Sequence, residues 1–396
     1  MQINQLIGNL TQEKSGLISM LFIPFQVINS CIDFIYPKKS NVIICGSNTG
    51  EFFSGSPKAF YEFIVKNHPE FKIYHYHPFK DQDSFREVFV YMLKFAPIYY
   101  SARYLVSSHP PNDFFPFVWW SRRKIFFNTW HGFGLKGIFF ADSGDTDHNR
   151  KSVLKLNQKT DFFLVSSKIE SATMTKCFLI DPNKFLYIGQ PRNDSLVKGS
   201  SENYLNRLFK TIPEYQKIIL YAPTYRRNNS VKMFPFTDFE ITKFKKFLEQ
   251  EKMIFLVRGH YYSTTSEEKI SDDRIFNLSH EVVEDVYDIL SQVDILITDY
   301  SSIYTDFLLL DRPMIFLPYD LDDYERKRGL LLDDFDFWTP GSKPSNYDEF
   351  IQELTKLNKN TDEYSVKRKL IKKIFHPNQE GKSCEQLYEI IKKDIR

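Results

Sequence analysis

The stretch "DILITDYSSIYTDFLLLDRP", residues 294–313, decides how the chain is read. Its first residues are apolar and β-branched without alternation, which suits a strand buried on both faces of a parallel sheet. The strand ends at Thr298, and Asp299 to Ser302 lead into a helix that Ser301 or Ser302 is suited to cap. The first amides of a helix lack partners and carry the positive end of its dipole, so such a turn can hold a phosphate. Asp306 falls one turn further on, where it could meet a ribose hydroxyl. An ordinary capped helix would read the same way.

The pattern recurs on both sides of this stretch. Short apolar runs at 41–45, 72–76, 103–107, 124–128, 161–166 and 184–189 are candidate strands. So are 217–222, 253–257, 274–278, 294–298 and 313–317. Amphipathic stretches such as 236–250 and 282–292 lie between them and read as helices. Strands alternating with helices predict a doubly wound α/β architecture. A weak boundary near 198–216 separates two groups of strands. The expectation is two Rossmann-like domains facing across a cleft, 40–205 and 206–396, preceded by an N-terminal segment, 1–39.

Chemically loaded residues follow the strands, where open parallel sheets bind ligands. In "YAPTYRR" Arg226 and Arg227 follow a strand, and in "VRGH" Arg258 and His260 do. Arginines there could neutralise a diphosphate, although surface ion pairs are a common alternative. In "KIFFNTWHGFGLKG" (124–137) a strand runs into His131, then two glycines and Lys136. From the residues alone, His131 reads as a structural histidine.

Composition narrows the classes. Fifty-two basic against 50 acidic side chains in 396 residues give no reason to expect nucleic acid. Aromatic content of 16% fits either a bulky core or a surface facing membrane or sugar. The cysteines, Cys31, Cys45, Cys177 and Cys384, are scattered, which argues against a zinc site and for a reducing compartment. His75 and His77 share a strand face but have no evident third ligand, so no metal is expected. The segment 46–57 is glycine-rich without the signature of a P-loop, and no GxSxG elbow occurs. The apolar segment 17–39 is interrupted by Pro24, Gln26, Asn29, Ser30 and Asp33. It reads equally as a helix lying on a bilayer or as one packed on the first domain.

Taken in order, "TWHGFGLKGI", "GQPRNDSL", "ILYAPTYRR", "DILITDYSSIYTDFLLLDRPMIF" and "DDYERKRG" followed by a Pro-Gly at 340–341 resemble the CDP-glycerol glycerophosphotransferases of teichoic acid and capsule synthesis. The resemblance runs from about residue 41 to 385. It implies a GT-B fold and transfer of glycerol phosphate from CDP-glycerol to a hydroxyl, with release of CMP. CDP-ribitol is the close alternative donor, and a sugar transferase of the same fold is a further one. The implied partners are a nucleotide-activated alditol, a lipid-linked glycan acceptor and a membrane surface, with no cofactor, at the cytoplasmic face of the cell membrane. By motif, His131 and His260 correspond to the family's two functional histidines, and Asp299–Ser302 to its donor-phosphate loop. Expected on the donor are Thr224, Arg226, Arg258, Asp299, Ser301, Ser302, Asp306 and Arg328. Expected at the acceptor or cleft are Gly132, Lys136 and Arg192, the glycines letting the backbone approach substrate. Two positions depart from the family: Phe133–Gly134 stand where it usually has Thr-Pro, and "RGHYY" lacks a proline after the histidine.

Overall fold

The computed structural model describes residues 27–78, 84–110, 112–114, 117, 123–199, 204–209, 211–224, 234–259, 273–378 and 380–395. By contacts the chain forms two units. The first takes in residues up to His131, with Gln158–Leu164 and Cys384–Arg396; the second takes in Gly132–Asn157 and Val165–Ser383.

Each of the eleven expected stretches carries a strand among the described residues. In the first unit these are β1 (Lys39–Gly46), β2 (Lys72–Tyr76), β3 (Ala102–Ser107), β4 (Ile125–Asn128) and β5 (Phe162–Leu164). They neighbour one another in the order β2-β1-β3-β4-β5, all parallel. Val42 to Cys45 and Leu105 to Ser107 are fully or almost fully buried, as strands covered on both faces must be. The second unit holds β6 (Phe185–Leu186), β7 (Lys217–Tyr221), β8 (Met253–Val257), β9 (Ile275–Asn277), β10 (Ile295–Thr298) and β11 (Met314–Phe316). Five of these form a parallel sheet in the order β11-β10-β7-β8-β9. β6 ends before residue 206 and β7 begins after it, whereas the contact units interleave along the chain.

Among the described residues many aromatic side chains are buried in the cores. In the second unit the Phe234 ring lies 5.1 Å from those of Tyr221 and Phe350, 5.4 Å from Phe244 and 5.7 Å from Phe255. Helix Ile241–Gln250 closes over this cluster with Phe244 and Leu248. The helix therefore starts later than the sequence pattern suggests, because Phe234 and Phe236 enter the core ahead of it. The other expected helix, 282–292, is cut down to Tyr287–Leu290. Arg258 takes the carbonyls of Val283 and Glu284, and the Tyr287 amide donates to Asp285 instead of to its own ladder.

Residues 27–35 form a helix whose amphipathicity is inverted. Asn29 and Asp33, one turn apart, are buried, while Val27, Ile28, Phe34 and Ile35 are exposed. The polar face points inward because its partners wait there. Asp33 pairs with Lys38 at 2.9 Å and with Lys124, and Asn29 accepts from the Tyr100 hydroxyl. The Lys124 ammonium also lies 4.0 Å from the centre of the Tyr99 ring. Two buried cations thus share one carboxylate. Asp33→Asn would leave both without a counter-charge, and breaking a buried pair in this way costs about 3–5 kcal/mol. Denaturant unfolding of the variant should show that loss; an unchanged midpoint would mean the triad does not stabilise the fold.

Candidate functional site

A doubly wound sheet binds ligands where the strand order reverses, since the loops leaving the two strands there diverge. In the first unit that point lies between β1 and β3. The register sets Gly46 beside Ser107, and Ser107 beside Asn128, so the loops after β1, β3 and β4 leave the sheet together. Asp113, fully buried, ties the first two. One of its oxygens accepts the Thr49 amide at 2.8 Å; the other accepts the Ser107 hydroxyl at 2.7 Å and the Ser108 and His109 amides at 3.0 and 2.7 Å. The loop after β4 joins them through the Thr129 amide, 2.8 Å from the Ser107 carbonyl. His131, exposed at the end of this loop, puts Nδ1 3.3 Å from the Ser108 carbonyl. A carbonyl only accepts, so Nδ1 carries a proton there, and in the neutral ring the lone pair falls on Nε2.

The second unit repeats the device. Its order reverses between β7 and β10, and Asp299 bridges the two strand ends there. One buried carboxylate oxygen accepts the Thr224 amide at 2.8 Å, the Thr224 hydroxyl at 2.6 Å and the Tyr300 amide at 2.6 Å. Ser302 stands at the start of helix Ile303–Phe307 but makes no capping bond with its side chain. The glycine loop packs on this turn. A Cβ on Gly132 would fall 2.4 Å from the Ser302 hydroxyl, and one on Gly134 3.0 Å from the Ser302 Cβ. These glycines therefore admit the protein's own helix start. The loop is fixed further by the Thr305 hydroxyl, 2.8 Å from the Phe133 carbonyl. The buried His376, left unassigned by the sequence, donates from Nε2 to the Thr305 carbonyl at 2.6 Å.

Several residues expected to touch substrate are engaged by the protein. The buried Arg192 guanidinium lies 3.0 Å from the Asp306 carboxylate, whose other oxygen accepts from Asn193 at 2.7 Å. Tyr287 also donates to Asp306. Burial alone would raise the Asp306 pKa, but the Arg192 charge and these hydrogen bonds bring it below its usual range. Asp306 thus faces Arg192, so a ribose contact would have to displace a buried ion pair. Arg258 reaches the carbonyls of Leu278, Val283 and Glu284 and lies 3.0 Å from His280 Nδ1, so it braces the 278–284 loop. Burial brings its pKa down to about 10. Arg328 pairs with the buried Asp142 at 2.7 Å. Lys136 is bridged through its backbone to Leu330. Arg226 and His260 lie outside the described residues, while Ser301 and Ser302 are half-buried at the turn. Sequence reading passed over Asp113, His109, Asp142 and Glu170; of these only Glu170 had a local signal, the Ser-x-x-Glu capping pattern at 167–170.

Two parallel sheets, each with its polar loops gathered at a switch point, place the molecule among two-unit α/β enzymes of the GT-B class. The solved structure of the wall teichoic acid polymerase TagF has this fold, with a TM-score of 0.75 and 23% identity over 100% of this chain and 98% of that one. More particularly, the chain belongs to the CDP-glycerol:poly(glycerophosphate) glycerophosphotransferase family, whose sequence model matches residues 28–393. It is therefore a transferase, as its motifs implied. The teichoic acid glycerol-phosphate transferase of Staphylococcus aureus is 28% identical over 375 residues, covering 89% of this chain and 92% of the relative. The teichoic acid poly(glycerol phosphate) polymerase of Bacillus subtilis is 26% identical over 373 residues, covering 89% of this chain but 48% of the relative. The chain thus spans most of the first relative and about half of the second.

The buried Glu170 predicts a stability that depends on pH. Its carboxylate accepts the Ser166 amide at 2.5 Å, and burial raises its pKa to about 7. An unfolded glutamate titrates near about 4.3. Between those values the native state holds the extra proton, so stability falls as pH rises through the window and stays lower above it. Glu170→Gln should remove that slope and be the more stable protein at pH 8. Urea midpoints taken from pH 5 to 8 check this; parallel profiles for the two proteins would contradict it.

Proposed function

We propose that the protein transfers glycerol phosphate from CDP-glycerol to a hydroxyl of a lipid-linked glycan or growing polymer in teichoic acid synthesis. The observation that carries the chemistry is the orientation of His131. With Nδ1–H directed at the Ser108 carbonyl, Nε2 has the lone pair a general base needs. An alditol or sugar hydroxyl is a poor nucleophile at neutral pH, and histidine titrates close to that pH. In the reaction the hydroxyl oxygen bonds to the β-phosphorus as its proton passes to Nε2. The bond from that phosphorus to the bridging oxygen breaks, and CMP leaves with the electron pair. The second unit is assigned the donor, around Thr224, Asp299, Ser301 and Ser302 with Arg226 and His260, and His260 is assigned to stabilise phosphoryl charge. Asp306, Arg192, Arg258 and Arg328 are read as supports for these loops. The Staphylococcus aureus relative is a glycerol-phosphate transferase, which favours glycerol over ribitol.

His131→Ala should keep its fold and its affinity for CDP-glycerol while turnover falls by about a hundredfold or more. Steady-state release of CMP, beside thermal melts and calorimetry, measures this, with CDP-ribitol and UDP-sugars as parallel donors. Normal turnover by a folded variant removes the base assignment, and release of UDP from a sugar nucleotide would make the enzyme a sugar transferase.

We also place the enzyme peripherally at the cytoplasmic face of the membrane. Among the described residues no helix is long and apolar enough to cross a bilayer. Support comes from helix 27–35, whose exposed Val27, Ile28, Phe34 and Ile35 suit insertion at an interface. Residues 17–26 of the expected membrane segment lie outside the described residues. The double variant Phe34→Asp/Ile35→Asp should lose most of its co-sedimentation with anionic vesicles; undiminished binding would refute this surface.

A further inference from the structure

We infer that Ser108 and His109 are the positioning pair that sets the ring plane and the tautomer of His131. The inference rests on the reading of His131 as general base and adds what holds that base in place.

The His109 and His131 rings are stacked, with centroids 4.0 Å apart and planes within 1° of parallel. His109 is itself held. Its Nδ1 lies 3.3 Å from the Asn48 amide, which can only donate, so this nitrogen is an acceptor and the ring proton sits on Nε2. The Ser108 hydroxyl, 2.9 Å away, then donates to the same Nδ1. Ser108 thus serves both rings, with its hydroxyl on His109 and its carbonyl on His131 Nδ1. Burial lowers the His109 pKa against the pull of Asp113, which disfavours a charge on this ring. A neutral neighbour matters, because two cationic rings at this spacing would repel as His131 takes up its proton.

The surrounding backbone is strained in a way that serves this stack. Asn48, Thr49 and Trp130 are non-glycine residues with φ of 46°, 57° and 52°. Such conformations persist only where their surroundings over-determine them. Here the Thr49 amide is fixed by Asp113 at 2.8 Å, and the Trp130 amide by the Asn128 side chain at 2.9 Å. The strained turn at Asn48 aims its amide at His109, and the one at Trp130 turns the chain so that His131 meets the face of His109. Asp113 grips the backbone of Ser108 and His109 from below. Every contact in this arrangement is made by the protein's own groups. Displacement of a reacting group by about 1 Å can cost up to about a hundredfold in rate.

Two substitutions separate the ring from its nitrogen. His109→Asn keeps an acceptor near the Asn48 amide but removes the stacking surface; His109→Phe keeps the surface and removes the acceptor. In the full chain, His109→Asn should lower kcat for CMP release by about tenfold to a hundredfold, with KM for CDP-glycerol within about twofold of the parent. His109→Phe should retain more of kcat than His109→Asn. Long-range proton–nitrogen NMR on histidine-labelled protein gives a readout independent of turnover, with His131→Ala assigning the signal. His131 should read as the Nδ1–H tautomer in the parent and as a mixture in His109→Asn. A parental Nε2–H tautomer, or unchanged kcat and tautomer in His109→Asn, overturns the inference while leaving the base reading intact if His131→Ala is inactive. Normal turnover by His131→Ala overturns both.

Discussion

Each sheet depends on one buried aspartate at its switch point. Neighbouring strands of a parallel sheet diverge there, and the loops leaving them expose amides that the ladder no longer satisfies. Asp113 gathers the amides of Thr49, Ser108 and His109; Asp299 gathers those of Thr224 and Tyr300. A carboxylate suits the task because it only accepts and has room for several donors. Charge-assisted bonds of this kind are stronger than neutral ones, and burial keeps them from being screened. Without such a staple these loops would lose bonds that fix their spacing.

Three arginines act as braces. Arg258 caps the carbonyls of the 278–284 loop, Arg328 grips Asp142, and Arg192 neutralises Asp306 beneath the Ser302 turn. An arginine at a strand end has two uses with the same sequence signature, binding a phosphate or collecting loop carbonyls. The loop carbonyls of this chain need donors, and the arginines that lie within reach supply them. Between His131 and Gly132 the chain makes the first of its two passages from the first unit to the second. On its first-unit side the histidine is fixed by Ser108 and stacked on His109; on its second-unit side the glycine loop is seated on Ser302 and Thr305.

The strands were legible because a doubly covered strand must be short, apolar and unalternating, and little else in a sequence looks like that. Helices were less so where tertiary partners competed for their hydrogen bonds, as Arg258 and Asp285 do around Val283 to Tyr287. The inverted helix at 27–35 shows a limit of hydrophobic patterning. Its apolar and polar faces are plain in the sequence, but which one faces inward depends on Lys38, Lys124 and Tyr100 waiting in the interior.

By itself, the sequence determined the α/β class, the strand positions and, through ordered motifs spread along most of the chain, the family. Those features are local or are carried by the spacing of residues along the chain. Only the tertiary structure decided that Asp306 and Arg192 pair with each other, that Gly132 and Gly134 admit Ser302, and that His109 lies against His131. Each of these joins residues far apart in the chain or set on different loops. Their partners are chosen by strand order and register, which bring loop ends together whatever their distance in sequence.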